Sequence, residues 1–220
     1  MPRAGGQRYC GRGTSRGRRF HVLKDFAIAG VGGQGGLLAT TVLAQVFAEA
    51  GFDVKTSEVH GMAQRGGTVT SYVRRGQKVF SPAVPAGKID VIVGLELLEA
   101  YRELPNLKPS GVVVSSDEKI APISVITGDA EYPNLTEESF LQRAGEVYIL
   151  PALSMALEAG NVRTSNMVCL GALSWILEIP ASVWENEISK LVPEKTIDAN
   201  LKAFCMGRRW MEKRRSPNIS

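Results

Sequence analysis

Apolar positions in the first third of the chain change between continuous runs, helical spacing and strict alternation. Residues 26–29 form a short continuous apolar run, which is typical of a strand buried on both faces. Over residues 35–50 the apolar side chains recur every three or four positions, and this spacing predicts a helix that ends at Gly51. Residues 53–58 and 68–74 then predict two further strands.

The rest of the chain begins with more strands and ends in helices. Three apolar runs predict strands, at residues 89–93, 112–114 and 147–150. Helices are predicted over 95–102, from Thr136, and over 152–159, 165–177, 181–191 and 194–211. Strands that alternate with helices predict one α/β domain. We expect a three-layer α/β/α architecture with a largely parallel, mixed central sheet, a Rossmann-like first βα unit and a helical C-terminal part.

A glycine-rich turn, residues 30–36 (GVGGQGG), joins the first predicted strand to the first predicted helix and fits the pattern G-x-G-x-x-G. Glycines let a backbone approach a ligand closely, and a helix N-terminus offers free N–H groups to an anion. The alternative is that the glycines only permit close packing of strand on helix. The candidate cofactor-, substrate- or partner-facing residues here are Gly30, Gly32, Gly33, Gln34 and Gly35.

Two observations weigh against a dinucleotide site at the glycine turn. Asp53 follows Gly30 by 23 residues, but it lies at the entry end of the second strand. Glu58 lies at the exit end, yet no crossover helix follows it. Residues 59–67, interrupted by glycines and here called the glycine-broken segment, follow instead and are too short for a second βαβ unit.

Polar side chains crowd into that glycine-broken segment. Ligands in open α/β sheets bind outside the carboxyl ends of the strands, so we expect this segment to face the same crevice as the glycine turn. The candidate residues are Ser57, Glu58, His60, Gln64, Arg65, Gly66 and Gly67. For each one alone, local hydrogen bonding in a solvated loop is the simpler explanation. No nucleophile motif accompanies His60, so no catalytic residue is assigned, and Glu96 is first a helix-start carboxylate.

The charge of the chain is concentrated at its ends. The formal net charge is +4, but residues 1–24 hold seven basic side chains and no acid, and residues 202–220 hold six basic side chains against one acid. The body between them is near −8, which weighs against a nucleic-acid partner. No apolar stretch approaches the ~20 residues of a membrane span. We divide the chain into a disordered basic leader (1–24), a domain (25–205) and a basic C-terminal tail (206–220).

Cysteine usage gives no metal pattern. Cys10, Cys169 and Cys205 are odd in number, widely spaced and without a C-x-x-C motif, so they do not provide an iron–sulfur or structural zinc site. The two histidines add no ligand pattern to them. This usage predicts a reducing, cytoplasmic compartment.

Four strings in the body of the chain carry a family resemblance. They are AGVGGQGG at 29–36, SEVHGMAQRGG at 57–67, GLE at 94–96 and NMVCLGA at 166–172. In this order and spacing they resemble the gamma-type domain of 2-oxoacid:ferredoxin oxidoreductases over about residues 25–205. The string at 57–67 is most similar to the beta subunit of the indolepyruvate branch of that family.

The resemblance implies a chemistry that this chain does not carry out alone. The family oxidatively decarboxylates 2-oxo acids to acyl-CoA, with thiamine diphosphate as the electron sink and iron–sulfur clusters that pass electrons to ferredoxin. Here the cysteines are not clustered, and Gly128-Asp129 is followed by Ala130 rather than by the rest of a thiamine-type G-D-G…N motif. The resemblance therefore implies a small subunit, inactive alone and binding no cofactor alone. Its hetero-oligomer would place thiamine diphosphate and the clusters on a larger alpha subunit, act on aryl pyruvates such as indolepyruvate, and use CoA.

Two other functions stay open from the residues themselves. A free-standing Rossmann-type oxidoreductase would use the glycine turn for the pyrophosphate of a nucleotide. A nucleic-acid-binding protein would use the basic ends, but the acidic body makes this the weakest of the three hypotheses.

Overall fold

A mixed β-sheet forms the centre of the protein. The computed structural model describes Cys10 and residues 24–61, 67–177 and 179–215, and within them six strands pair in the order β2-β3-β1-β4-β5-β6. The strands are β1 (Asp25–Val31), β2 (Asp53–His60), β3 (Thr68–Gly76), β4 (Ile89–Gly94), β5 (Leu107–Ser116) and β6 (Glu146–Leu150).

The strand directions confirm the mixed, largely parallel sheet. β1, β4, β5 and β6 run parallel, with Ile28 beside Val93 in the register of β1 and β4. β3 pairs antiparallel with both β1 and β2. β2 and β3 therefore form a hairpin where a classical dinucleotide fold would have a crossover helix and a second parallel strand, as the missing helix after Glu58 indicated.

Helices cover both faces of this sheet. They are α1 (Gly36–Glu49), α2 (Leu97–Glu103), α3 (Ile123–Ile126), α4 (Glu137–Leu141), α5 (Ala152–Ala159), α6 (Ser165–Ile176), α7 (Ala181–Leu191) and α8 (Ile197–Arg215). The sequence predicted all of them except α3, which lies in a stretch expected to be a loop. In the part of the chain that the structure describes, none is long and apolar enough to cross a membrane.

Two apolar cores, one on each face, explain the continuous apolar runs of the central strands. Side chains of a strand point alternately to opposite faces, so Ile28 and Val93 face the layer of α1 and α5 to α8. Ala27 and Ile92 face α2 and α4. Because both faces are buried, every position of β4 is buried. The three-layer α/β/α architecture is confirmed.

Helices α6 and α8 approach each other at two glycines. A Cβ atom on Gly171 would lie 1.9 Å from the carbonyl oxygen of Phe204, and one on Gly207 would lie 1.9 Å from that of Val168. Beside this contact, the buried Arg208 guanidinium donates a hydrogen bond of 2.9 Å to Ser174. The contact leaves no space for a methyl group on either side.

Helix α8 continues beyond the expected end of the domain at residue 205. It extends to Arg215, and Gly207 and Met211 within it are buried, so residues 206–215 pack with the body rather than forming a separate tail. Arg215 pairs with Glu146 at 2.5 Å and lies over the ring of Tyr148. The basic side chains of the last turn suit the negative end of the helix dipole, so this charged segment is compatible with helix.

A disulfide joins Cys10 to Cys205 on α8, with the two Cα atoms 5.4 Å apart. The backbone N–H of Cys10 donates to the Glu185 carboxylate at 3.1 Å, which adds a polar contact to the bridge. This pairing differs from the free thiols expected of a reducing compartment. The sequence could not reveal it, because 195 residues separate the two cysteines and no spacing rule links them.

Candidate functional site

The side chain of Gln34 holds the glycine turn in place through three hydrogen bonds. Its side-chain oxygen Oε1 accepts the backbone N–H of Val31 at 2.8 Å. Its nitrogen Nε2 donates to the carbonyl of Leu95 at 3.0 Å and to the Glu118 carboxylate at 3.1 Å. The turn after β1 is therefore tied to the residues that follow β4 and β5, at the carboxyl ends of the parallel strands.

The glycines of this turn serve two different needs. A Cβ on Gly30 would lie 2.8 Å from Oε1 of Gln34, and one on Gly35 would lie 2.4 Å from the Asn166 amide nitrogen. At these positions a side chain would displace the amide of Gln34 or Asn166. Gly33 and Gly35 also have positive φ values, +106° and +80°, which favour glycine. Gly33 differs in that no atom lies within 4 Å of its Cβ position. The open side of the turn is thus at Gly33.

The N-terminus of α1 lies at the same edge of the sheet. Gly35 is the N-cap residue, and no side chain of the described residues caps the first turn. Asn166, at the start of α6, instead donates to the Gly35 carbonyl at 3.0 Å and holds the turn from behind. Uncapped N–H groups carry a partial positive charge, so this end of the helix favours an anionic or hydrogen-bond-accepting group.

The β2–β3 hairpin adjoins the glycine turn. The backbone N–H of Gly32 donates to the carbonyl of Gly67 at 3.0 Å, and that of Gly61 donates to Thr68 at 2.8 Å. The structure therefore brings together the two segments that the sequence predicted to share a crevice. Three predicted site residues, Gln64, Arg65 and Gly66, lie outside the described residues.

The polar residues at the end of β2 interact mainly with each other. Nε2 of His60 lies 3.3 Å from the Glu58 carboxylate, and the Ser71 hydroxyl donates to the same carboxylate at 3.5 Å. Ser57 is half-buried on the same strand, whereas Val59 is 57% exposed. The pair of His60 and Glu58 is partly open to solvent, and Ser71 is the hydroxyl that contacts it within the described residues.

A group of acidic side chains lies near the ends of β4 and β5, next to the glycine turn. Glu96 is fully buried and begins α2, where it accepts hydrogen bonds from the Glu99 N–H at 2.7 Å and from the Tyr132 hydroxyl at 2.6 Å. This confirms Glu96 as a helix-start carboxylate. Burial raises the pKa of Glu118, and the hydrogen bond from Gln34 opposes that rise. Burial also raises the pKa of Glu99, whose Oε2 accepts no hydrogen bond within the described residues.

Sequence analysis missed three residues of this site: Glu118, Tyr132 and Asn166. Glu118 lies two residues after the end of β5, so its position near a strand exit was a usable signal. Asn166 begins one of the strings that carry the family resemblance. Tyr132 carries no signal at all, because it lies in an irregular segment 36 residues away from its partner Glu96.

The cysteines of this chain do not fit a cluster site. Cys10 and Cys205 bond to each other, and Cys169 is fully buried, with its thiol 3.7 Å from the Gly94 carbonyl. Burial, with a smaller contribution from Glu118, raises the pKa of Cys169 to about 12. A thiol must lose its proton to ligate iron, so this cysteine is suited to packing.

Cys169 is expected to resist alkylation in the folded chain. At pH 8 a thiol with a pKa of about 12 is almost entirely protonated, and its burial also blocks the reagent. Mass spectrometry after iodoacetamide treatment should show no labelled cysteine in the folded, oxidised chain. After unfolding without reductant it should show one labelled cysteine, Cys169, because Cys10 and Cys205 stay bonded to each other. Labelling of Cys169 at equal rates in both conditions would contradict this prediction.

Comparison with known proteins agrees with this fold and shows the family. The family model described as pyruvate ferredoxin/flavodoxin oxidoreductase matches residues 25–210, so the chain belongs to that family. It is 42% identical to indolepyruvate oxidoreductase subunit IorB of Thermococcus kodakarensis over 193 residues, which cover 83% of this chain and 93% of the relative.

Solved structures share the fold at lower identity. A keto/oxoacid ferredoxin oxidoreductase gamma subunit from Geobacter sulfurreducens superimposes with a TM-score of 0.64 at 22% identity, covering 86% of this chain and 99% of that one. A 2-oxoglutarate:ferredoxin oxidoreductase from Magnetococcus marinus, with 2-oxoglutarate, coenzyme A and succinyl-CoA bound, gives 0.67 at 24% identity. That match covers 86% of this chain and 31% of the other. The α/β architecture is therefore that of a gamma subunit.

Proposed function

We propose that this chain is the small subunit of an indolepyruvate-type 2-oxoacid:ferredoxin oxidoreductase. The observation that carries the proposal is the 42% identity over 93% of a relative named as an indolepyruvate oxidoreductase subunit. The complex would convert aryl pyruvates and CoA to acyl-CoA and CO2, with transfer of two electrons to ferredoxin. The cytoplasm is the proposed location, because ferredoxin-linked metabolism occurs there.

The redox chemistry of the proposed complex belongs to a partner. The cysteines of this chain do not fit iron–sulfur ligation, and Asp129 lies in an exposed turn with its carboxylate accepting from Thr127. Neither feature offers a place for a cluster or for thiamine diphosphate. We infer a larger alpha subunit that holds thiamine diphosphate and the clusters, in a hetero-oligomer that is inactive when this chain is alone.

The role proposed for this chain is to complete the active-site region from the carboxyl end of its sheet. Two exposed apolar side chains flank the crevice there, Leu37 (64% exposed) at the start of α1 and Val59 (57%) at the end of β2. Apolar side chains next to an open polar crevice suit a surface that a partner covers. The glycine turn and the hairpin would then face the alpha subunit and limit the access of substrate or CoA.

A reconstitution experiment tests this proposal. The chain should be inactive and colourless alone, and it should restore 2-oxo acid-dependent dye reduction when combined with an alpha subunit that carries thiamine and ferredoxin-cluster motifs. Indolepyruvate and phenylpyruvate should exceed pyruvate and 2-oxoglutarate in kcat/KM. Turnover of NAD(P) or FAD by the chain alone would instead support the free-standing oxidoreductase.

Arg65→Ala is expected to lower the activity of the complex more than the stability of this chain. Its position in the glycine-broken segment, whose described ends adjoin the glycine turn, motivates the prediction; Arg65 itself lies outside the described residues. We expect about a 10-fold loss of kcat/KM, the effect of removing one charged hydrogen bond.

The matched control for this prediction is Arg143→Ala. Arg143 is an exposed arginine that donates to the Pro105 carbonyl near the start of β6, away from the glycine turn. Steady-state assays and size-exclusion chromatography of both complexes provide the comparison. Unchanged assembly and turnover in Arg65→Ala would show that Arg65 has no role in the site.

A further inference from the structure

A second cleft lies at the amino-terminal end of β1, opposite to the glycine turn. Its volume is about 750 Å³, which is within the range of small-molecule sites. Lys24, Phe52, Arg75, Lys78 and Phe80 are among its lining residues. They come from the entry to β1, the entry to β2, and the end of β3 with the loop that follows. Neither the family motifs nor the proposed redox function uses this cleft.

The cleft is positively charged. Four basic side chains line it, and the described part of the lining includes no acidic residue. One of the four, Arg74, is neutralised by the Asp25 carboxylate at 2.7 Å. Neither Lys24 nor Lys78 forms a direct ion pair with a carboxylate of the described residues. At longer range Lys78 attracts Asp53, which also accepts the backbone N–H of Val79 at 2.8 Å, and Lys24 attracts Asp25. The two ammonium groups are therefore available to an anion.

Arg75 places a fixed charge behind these two lysines. Its side chain is only 4% exposed, and the guanidinium carbon lies 4.4 Å from the ring centre of Phe47 and 4.5 Å from that of Phe52. Stacking between the rings restricts the side chain to one orientation. Burial lowers the pKa of Arg75 to about 10, which still leaves it protonated at neutral pH.

An exposed aromatic ring borders the same cleft. Phe80 is 90% exposed, and it follows Lys78 by two positions in the loop after β3. A phenylalanine ring so exposed gains nothing from the fold of this chain, and its faces are free to stack on a planar group. The cleft is thus lined both by ammonium groups and by two aromatic rings, those of Phe80 and Phe52.

We propose that this cleft binds a nucleotide-type ligand, with its base stacked on Phe80 and its phosphates at Lys24 and Lys78. Two ammonium groups without a direct ion pair match the multiple charge of a diphosphate better than the single charge of an aryl carboxylate. The proposal does not depend on the proposed function, because the cleft and the glycine turn lie at opposite ends of the sheet.

Isothermal titration calorimetry with ADP tests the proposal on the full chain, alone and in its complex. We expect saturable binding of ADP and weaker binding of pyrophosphate or adenosine, which each supply only half of the ligand. Lys78→Ala and Phe80→Ala should each weaken ADP binding about 10-fold, the usual cost of losing one stacked base or one charged contact.

Matched controls make the result specific to the cleft. Lys213→Ala removes an exposed positive charge at the end of α8, and Ile126→Ala removes an apolar side chain that is 72% exposed. Both should leave ADP binding unchanged.

Three results would overturn the proposal. The first is the absence of saturable ADP binding, and the second is ADP binding that Lys78→Ala and Phe80→Ala do not weaken. The third is phenylpyruvate binding that is at least as tight as ADP binding and depends equally on Lys78 and Phe80. If instead Lys78→Ala and Phe80→Ala weaken subunit association while the assembled complex binds no ADP, the cleft is a protein interface and the proposal is wrong. Loss of redox activity alone would concern the proposed function and not this cleft.

Discussion

Gly171→Ala and Gly207→Ala are each expected to lower the free energy of unfolding by about 3 kcal/mol, the upper part of the range for overpacking. In each case the new methyl group would lie 1.9 Å from a backbone carbonyl oxygen of the opposite helix. A flexible side chain could move away from such a contact, but a helical backbone cannot. Helices α6 and α8 would have to separate, which would also disturb the hydrogen bond between Arg208 and Ser174.

The matched control is Gly36→Ala at the start of α1. There the new Cβ would be 3.8 Å from Leu95 Cδ1, an ordinary contact, and alanine has the higher helix propensity. Urea denaturation of the three variants should show lower midpoints for Gly171→Ala and Gly207→Ala and an unchanged or higher midpoint for Gly36→Ala. Equal midpoints in all three would mean that α6 and α8 are not in the close contact described.

The contact between α6 and α8 illustrates which part of the fold was predictable. Apolar spacing predicted both helices, because burial of one face leaves a periodic pattern in the sequence. The pattern holds no information about which helices approach most closely, and Gly171 and Gly207 are 36 positions apart. The boundary at 205 came from the extent of the family resemblance, and it held no information on the packing of Met211 and Arg215, which extends α8 beyond it.

The sequence predicted where the candidate site lies but not the hydrogen bonds that hold its residues in place. The order of strand, glycine turn and helix placed Gly30 to Gly35 at a sheet edge, and the short segment after Glu58 placed the hairpin beside it. The hydrogen bonds of Gln34 to Leu95 and Glu118 link residues more than 60 positions apart, so no local pattern reveals them. They show that Gln34 is chiefly a positioning residue for the turn.

Gly30 and Gly35 show why the two explanations of the glycine pattern were not exclusive. Both pack against side chains of the same chain, Gln34 and Asn166, while Gly33 faces open space. The same turn is thus tightly packed on its inner side and open on its outer side. Packing on one side therefore does not prevent contact with a ligand or partner on the other.

Val91→Asp is expected to leave the chain unfolded at neutral pH. Val91 is fully buried in β4 and lies between Phe26 of β1 and Val112 of β5, so both its neighbours and its facing layer are apolar. An unpaired carboxylate there costs on the order of 5 kcal/mol or more, comparable with the whole stability of a typical domain.

The pH dependence of this variant has a definite sign, because burial raises the pKa of the new carboxyl above its value of ~3.9 in the unfolded chain. The destabilisation is therefore smallest below that unfolded value and grows as the pH rises through the folded one. Val59→Asp makes the same change on an exposed position of β2 and should fold normally. Circular dichroism and soluble yield compare the two; a folded Val91→Asp with the midpoint of the original chain would mean that β4 is not covered on both faces.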